Sequence, residues 1–334
     1  MQTDTAHSPG PSRPTVRLRH LVLRPGVHAL RRSADELQLG LDPSRAVILP
    51  DSPRVRTLLK ALTSPGSVED PHAYDDPALV LLADAGLVVD ADALLPLIPT
   101  APGDTGHRAT GHRATDHRVD RAEVAAIAAH SGDGAAGQLD ARSAARVEVI
   151  TFGAPGVLQV AAGLTDLLNA SGVHCREDER RHRAAGRTEA TAAVVVTVGE
   201  PPREGVDPLV RAGTPHLFLR LAEGHAVVGP FVLPGETACL RCVDAHHTDV
   251  DAVWPLLVTQ YASAVTNERE DTVPEPVDPL LATLASAWAA RELVSFAEGR
   301  RPATVSTTVR LDPHLTALET QCWPRHPACG CAWA

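Results

Sequence analysis

Two tight cysteine clusters, far apart in the sequence, constrain this chain more than any other feature. Cys239-Leu-Arg-Cys242 follows a Pro-Gly turn, and Cys329-Gly-Cys331 comes late in the chain. Four thiols spaced as Cys-x-x-Cys and Cys-x-Cys suit a tetrahedral zinc ion, because each short spacer presents two sulfurs to one metal. Any fold that builds such a site must bring residues 239–242 against residues 329–331. A disulfide inside Cys329-Gly-Cys331 requires a very small, strained ring. Spacing alone also allows a disulfide between the clusters, but persistent disulfides are rare in the cytosol, and the rest of the chain has a cytosolic texture. The expectation is a structural zinc with closed coordination on Cys239, Cys242, Cys329 and Cys331, with Cys322 and His326 as reserve ligands.

The chain has 334 residues, enough for two domains that each bury a core. Hydrophobic residues make up 44% but aromatics only 3%, so the cores are built from Val, Leu and Ala. The net charge of −10 argues against a nucleic-acid partner, since phosphate contact needs a basic face. No apolar run approaches the ~20 residues that span a bilayer. Residues 1–15 lack the apolar core of a signal peptide and read as a disordered tail. A soluble, cytoplasmic protein is expected, with no membrane partner.

Residues 16–99 read as a first unit. Leu37–Leu41 and Ala46–Leu49 alternate as strands around Asp42-Pro-Ser-Arg45, which predicts a hairpin. Asp51-Ser-Pro53 starts a helix with Val55, Leu58, Leu59 and Leu62 at helical spacing, and Ser64-Pro-Gly66 ends it. A second helix covers about 76–84, with Leu79, Leu82 and Ala83 inward. Gly86 then caps it, and Leu87–Val89 returns as a strand. This order predicts a winged-helix-like domain. Asp75, Asp76 and Asp84 would repel phosphate from the second helix, so a peptide is the expected ligand, with Leu39, Leu41, Val47, Leu79 and Leu82 as candidate contacts.

Residues 100–146 read as a flexible linker. Gly106-His-Arg-Ala-Thr110 is repeated as Gly111-His-Arg-Ala-Thr115, with a diverged third copy in Asp116–Asp120. A brief helix is expected over 120–130, and a loop over 132–137. From Val147 to Ala334 the pattern becomes α/β. Val147–Phe152 is a strand, Gly153-Ala-Pro-Gly156 a turn, Val157–Ala170 a helix with Leu158, Ala161, Ala162, Leu164 and Leu168 as its apolar stripe, Val173–Cys175 a second strand and Thr191–Val198 a third. The turn is a degenerate phosphate loop: Gly153 and Gly156 remain, Val157 follows, and Pro155 removes a donor. Residues 216–221, 226–233 and 304–311 read as further strands. Asp278–Gly299 reads as a long helix with a broad apolar stripe of Leu280, Leu281, Leu284, Ala287, Trp288, Leu293 and Phe296. His246-His247 read as part of a polar stretch after the cysteines.

The strand-glycine-helix opening, Thr214-Pro215 before a strand, Pro234-Gly-Glu-Thr-Ala-Cys239-Leu-Arg-Cys242 and the second cysteine pair resemble the ThiF/MoeB superfamily of ubiquitin-activating-type adenylyltransferases. Leu23-Arg-Pro-Gly-Val27, Leu37–Leu41, Cys239–Asp249 and His326-Pro-Ala-Cys-Gly-Cys331 resemble more closely the ThiF-like leader-binding proteins of azole-forming peptide biosynthesis. The resemblance implies a Rossmann-like, doubly wound domain behind a winged-helix recognition domain. It also implies a ribosomally made precursor peptide, a YcaO-type partner enzyme and a possible homodimer.

In an active adenylyltransferase of this superfamily, an acidic residue after the second strand holds the ribose, a lysine holds phosphate and an Asp holds magnesium. By that resemblance Glu177 or Asp178 would meet the ribose, and Arg180 or Arg181 the phosphate. Lys60 is the only lysine in the chain, and the third strand leads into Thr197-Val-Gly-Glu200 without the Asp. The expectation is a vestigial nucleotide site, ATP unlikely to bind, and a recognition and scaffold role. The alternative is a working adenylyltransferase acting on a C-terminal carboxylate, with Cys175 as acceptor thiol.

Overall fold

The structure, a computed structural model, describes residues 21–40, 46–63, 76–97, 121–177, 190–266 and 275–331. They form two compact units, residues 21–97 with 121–136, and the described residues from 137 onward. The tail at 1–15, the repeats at 106–120, the helix stop at 64–66 and the hairpin turn at 42–45 lie outside the described residues.

In the first unit, β1 (Leu21–Leu23) pairs antiparallel with β5 (Val88–Asp90). A separate three-stranded sheet runs β2 (Ala29–Arg31), β3 (Glu36–Leu39), β4 (Val47–Pro50), all antiparallel. The hairpin read from the sequence is therefore the β3–β4 pair. Helix α1 (Pro53–Leu62) begins at Ser52, whose hydroxyl accepts the Val55 N–H, with proline in its first turn. It buries Val55, Leu58, Leu59 and Leu62, the stripe its spacing predicts. Helix α2 (Pro77–Asp84) is capped by Asp76, which also pairs with Arg54 at 2.8 Å. It buries Ala78, Leu79 and Leu82, while Ala83 is exposed. A short helix, α3 (Ala91–Leu94), follows β5 directly.

Part of the segment read as linker is helical. Helix α4 (Arg121–Ser131) buries Val124, Ile127 and Ala128 in the first unit. The loop expected over 132–137 is a tight helical turn that leads into α5 (Ala135–Ala144), which carries the chain into the second unit. The glycines there suggested a loop, but Ala135 and Leu139 are buried, and that burial favours helix.

The second unit is built on a seven-stranded mixed sheet, in the order β12-β11-β10-β9-β8-β6-β7. Strands β6 (Arg146–Gly153), β7 (His174–Glu177), β8 (Ala192–Val198) and β9 (His216–Ala222) are parallel. Strands β10 (His225–Val232), β11 (Thr307–Leu311) and β12 (Leu318–Cys322) extend it antiparallel. Strand β8 is buried on both faces, as its unbroken apolar run requires. Its Val194, Val196 and Val198 face a core shared with α6 (Val157–Ala170) and α10 (Pro279–Ala297). Ala193 and Val195 face the opposite core, shared with α7 (Arg203–Arg211) and α8 (Leu240–Val250). Helix α9 (Trp254–Thr266) follows α8. Gly229, in a bulge of β10, sits where a Cβ would lie 2.2 Å from the Thr307 carbonyl oxygen.

Two stripes differ from expectation. Helix α10 buries Leu281, Ala282, Ala285, Ala289 and Leu293, and it leaves Leu280 82% and Leu284 40% exposed. Small residues face α6 and the sheet because the elements approach closely there, so size decides the packed face. Leu158 of α6 is likewise 50% exposed, and Val157 and Val160 are buried instead. Among the described residues, α10 is the one helix long and apolar enough to cross a bilayer, and half of that window is buried in the unit's core.

Candidate metal centre

The bulge in β10 turns the chain through a Pro-Gly turn to Cys239, at the N-terminus of α8, and Cys242 stands one turn further on. Trp323 N–H bonds to the Ser306 carbonyl at 2.7 Å and starts the segment that carries Cys329 and Cys331 back to α8. The four sulfurs all lie within 4.8 Å of one another. Cys239 is 3.8 Å from Cys242 and 3.5 Å from Cys329, and Cys242 is 3.5 Å from Cys331. A tetrahedron with Zn–S bonds of about 2.3 Å sets its sulfurs about 3.8 Å apart, so the donor set fits zinc. Disulfide sulfurs would stand about 2 Å apart, and all six cysteines are free thiols.

The electrostatics of the cluster also fit a cation. The hydrogen bond donated by the Cys239 thiol, helped by the His326 backbone N–H, holds the Cys242 thiol down at about 4. That same bond and burial push Cys239 up, and burial pushes Cys329 up to about 11. One thiolate is accommodated while Cys239 and Cys329 resist ionising, which is the charge problem a divalent ion resolves. Neither reserve ligand joins the cluster. Cys322 is exposed on β12 opposite Thr307, and the His326 side chain lies 2.9 Å from Asp249.

The carboxyl ends of β6 and β8 form the other candidate site, since the strand order reverses there. Gly153 has φ +96°, and a Cβ on it would lie 2.0 Å from the Val198 carbonyl oxygen. The glycine is thus required by the approach of β6 to β8, with no ligand involved. Gly156 precedes α6, where the Val157 and Leu158 N–H groups bond to the carbonyls of Ala154 and Pro155 at 3.0 and 3.3 Å. Two donors that would meet a phosphate are therefore already used. Glu177 ends β7, and Asp178 and Arg180 lie outside the described residues.

A network not anticipated from the sequence crosses this edge. Glu200 accepts from Arg203 at 2.9 Å and from Arg220 at 2.7 Å, using both oxygens. Arg203 also forms a bidentate pair with Asp244 of α8 at 2.8 and 2.7 Å, and Trp254 Nε1 donates to the same carboxylate. Burial alone would raise Asp244, but the Arg203 hydrogen bonds outweigh it and hold the group below the usual carboxylate range. A cavity of about 210 Å³ opens beside the cysteines between α7 and α8, on the sheet face away from α6. It is smaller than the ~300 Å³ at which small-molecule pockets begin.

Three of the candidate peptide contacts are core residues. Leu39, Leu79 and Leu82 are exposed by 0, 2 and 0%, Val47 is half-buried, and Leu41 lies outside the described residues. Alternation identified the apolar face correctly, but that face packs inward. The exposed apolar side chains on β4 and α2, two elements in contact, are Ile48, Val80 and Leu81.

No protein-family model matches the chain, and none of the curated proteins matches its sequence. Solved structures do match. The heterocyclase TruD superposes with a TM-score of 0.62 at 16% identity, over 94% of this chain and 42% of that one. A heterocyclase solved in complex with substrate and cofactor gives 0.60 at 17%, over 92% and 39%. Escherichia coli MccB solved with MccA gives 0.56 at 13%, over 94% and 99%. The chain has the fold of these proteins. This agrees with the ThiF/MoeB-type resemblance read from the sequence. The chain spans less than half the length of the heterocyclases and nearly all of MccB.

Proposed function

We propose that this chain recognises a ribosomally made precursor peptide and presents it to a separate YcaO-type cyclodehydratase in azoline-type peptide maturation. In this reading the first unit is the winged-helix-like recognition domain, the four thiolates hold a structural zinc, and the nucleotide site is vestigial. One observation carries it: at the strand-order reversal the available carboxylate, Glu200, is fully engaged by two arginines. Phosphoryl and adenylyl transfer need charge held free for the phosphates and their metal. The heterocyclases extend well beyond the part this chain matches, which is consistent with the cyclising chemistry residing in another chain. Strand addition at the open edge of β4 is the proposed mode of peptide binding. Backbone bonds would supply affinity, and Ile48, Val80 and Leu81 would supply selectivity.

A second reading, an ATP-dependent adenylyltransferase, is favoured by the likeness to MccB solved with ATP, over 92% of this chain and 98% of that one. Pyrophosphate exchange with Mg-ATP and the precursor peptide separates the two. The scaffold reading expects no exchange by this chain alone and azoline formation only when the partner enzyme is added. Exchange by the purified chain would overturn it.

A further inference from the structure

We infer that His246, Asp249 and His326 form a second, exchangeable transition-metal site beside the thiolate cluster. His246 and Asp249 stand three residues apart on α8 and so share one face of the helix. His326 reaches the same place from the segment that carries Cys329. One ligand atom from each of the three lies within 4.8 Å of the others. The two imidazoles meet edge to face with centroids 4.8 Å apart, and His326 Nε2 is 2.9 Å from Asp249 Oδ2. A hydrogen bond to Asp249 holds His326 and one to the Pro324 carbonyl holds His246, so the three side chains are fixed where their ligand atoms converge.

The outer contact of His246 orients its ring as metal-bound histidines are oriented. His246 Nε2 lies 2.9 Å from the Pro324 carbonyl, which can only accept, so Nε2 carries the proton and Nδ1 keeps its lone pair. His326 Nδ1 accepts the Ala328 N–H at 3.2 Å, which places the neutral ring's proton on Nε2, facing Asp249. When a cation takes His326 Nε2, the ring's one proton moves to Nδ1 and the Ala328 N–H bond is given up, so the ligand stays a neutral imidazole. With metal–ligand bonds of about 2.1 Å, the observed N···O separation corresponds to about 90° at the metal, so little movement is needed. Asp249 is 65% exposed and gives an entry path, and the His326 side chain is 9% exposed. Two imidazoles and one carboxylate select zinc-like divalent ions over magnesium or calcium, which prefer all-oxygen shells. Three protein ligands leave room for water, so this ion exchanges, in contrast to one closed in by four thiolates.

The test titrates full-length protein already carrying one zinc, with Zn²⁺ by calorimetry and with Co²⁺ by visible absorption. In the reference protein His107, His112 and His117 are replaced by Gln, so that the repeat histidines contribute no binding. A second equivalent is expected whose Co²⁺ spectrum lacks the intense thiolate-to-metal band, with no response to Mg²⁺. His246→Gln and Asp249→Asn should each weaken it by at least ~10-fold while the first zinc is retained. Both side chains bond to the segment that carries Cys329 and Cys331, so the first zinc is quantified in each variant beside the second. Absence of a second equivalent at millimolar zinc, or a second equivalent that both variants leave unchanged, overturns the site.

Discussion

Removing the metal should release the segment 322–331 and leave the rest of the second unit folded. Strand β12 is exposed throughout, and Trp323, Cys329 and Cys331 are only partly buried against the core of α7 and α8. Apolar burial therefore contributes little to holding this stretch in place. Fixing a segment of about ten residues costs roughly 10–20 kcal/mol of backbone entropy at about 1–2 kcal/mol each. A structural zinc in a small peptide contributes about 10–16 kcal/mol, a comparable amount, whereas the few hydrogen bonds here contribute about 1 kcal/mol apiece. Hydrogen exchange read by mass spectrometry, before and after chelation, measures the outcome segment by segment. The amides of Trp323 and Cys329 should lose protection, and those of β8 should keep it. Cys331→Ser should act like chelation, and Cys322→Ser should do nothing. Retained protection at Trp323 and Cys329 in metal-free protein, or collapse of the whole sheet on chelation, would refute the argument.

Other outcomes follow from the same structure. His216 is fully buried, its Nδ1–H donates to the Thr214 carbonyl, and burial lowers it from 6.5 to about 4. The unfolded chain takes up that proton first, so stability is full above pH 6.5 and falls by about 3 kcal/mol as the pH drops to 4. Urea midpoints at pH 7 and pH 5 should converge in His216→Leu. Arg142 and Glu298 form a buried pair at 2.8 Å, and Arg142→Met should cost about 3–5 kcal/mol in urea unfolding of the second unit. Removing residues 1–100 should abolish binding of a fluorescent leader peptide in polarisation assays, and equal affinity in the truncated chain would remove the recognition role. Ile48→Glu should weaken the same binding at least ~10-fold, and an unchanged affinity would move the peptide away from β4.

Much of the scaffold was legible because local signals agreed with tertiary burial. Ser52-Pro53 and Asp278-Pro279 are caps that mark their helices, and Val55, Leu58, Leu59 and Leu62 repeat at the helical period and are all buried. The four thiols were legible because their spacing allows little else. Helices α8 and α9 were missed, since the histidines and aspartates after Cys242 read as a polar stretch and their partners lie 70 or more residues away in Pro324 and His326. The stripe of α10 was legible in Leu281, Trp288, Leu293 and Phe296, whereas Leu280 and Leu284 face outward because small alanines share the packed face. Leu39, Leu79 and Leu82 were taken for a groove, because alternation says which face is apolar but does not say what covers it.

Glu200 bears on function in the same way. The sequence was read for an Asp after the third strand, and its absence was taken as loss of the site. The structure gives a more specific account. A carboxylate stands there, and both its oxygens are held by Arg203 and Arg220, whose side chains are 10 and 12% exposed. Arg203 is held in turn by Asp244, two residues beyond Cys242 on α8, so the edge of the sheet and the thiolate cluster share one rigid helix. Freeing Glu200 for a magnesium ion would take from the largely buried Arg220 its hydrogen-bonded carboxylate and leave Arg203 to Asp244 alone, a change that costs several kcal/mol. The network therefore opposes the rearrangement that adenylation would need, and it braces the helix that carries the metal centre. Buried charges paired in this way are what the proposed scaffold role expects, and an Mg-ATP titration that released Glu200 would count against it.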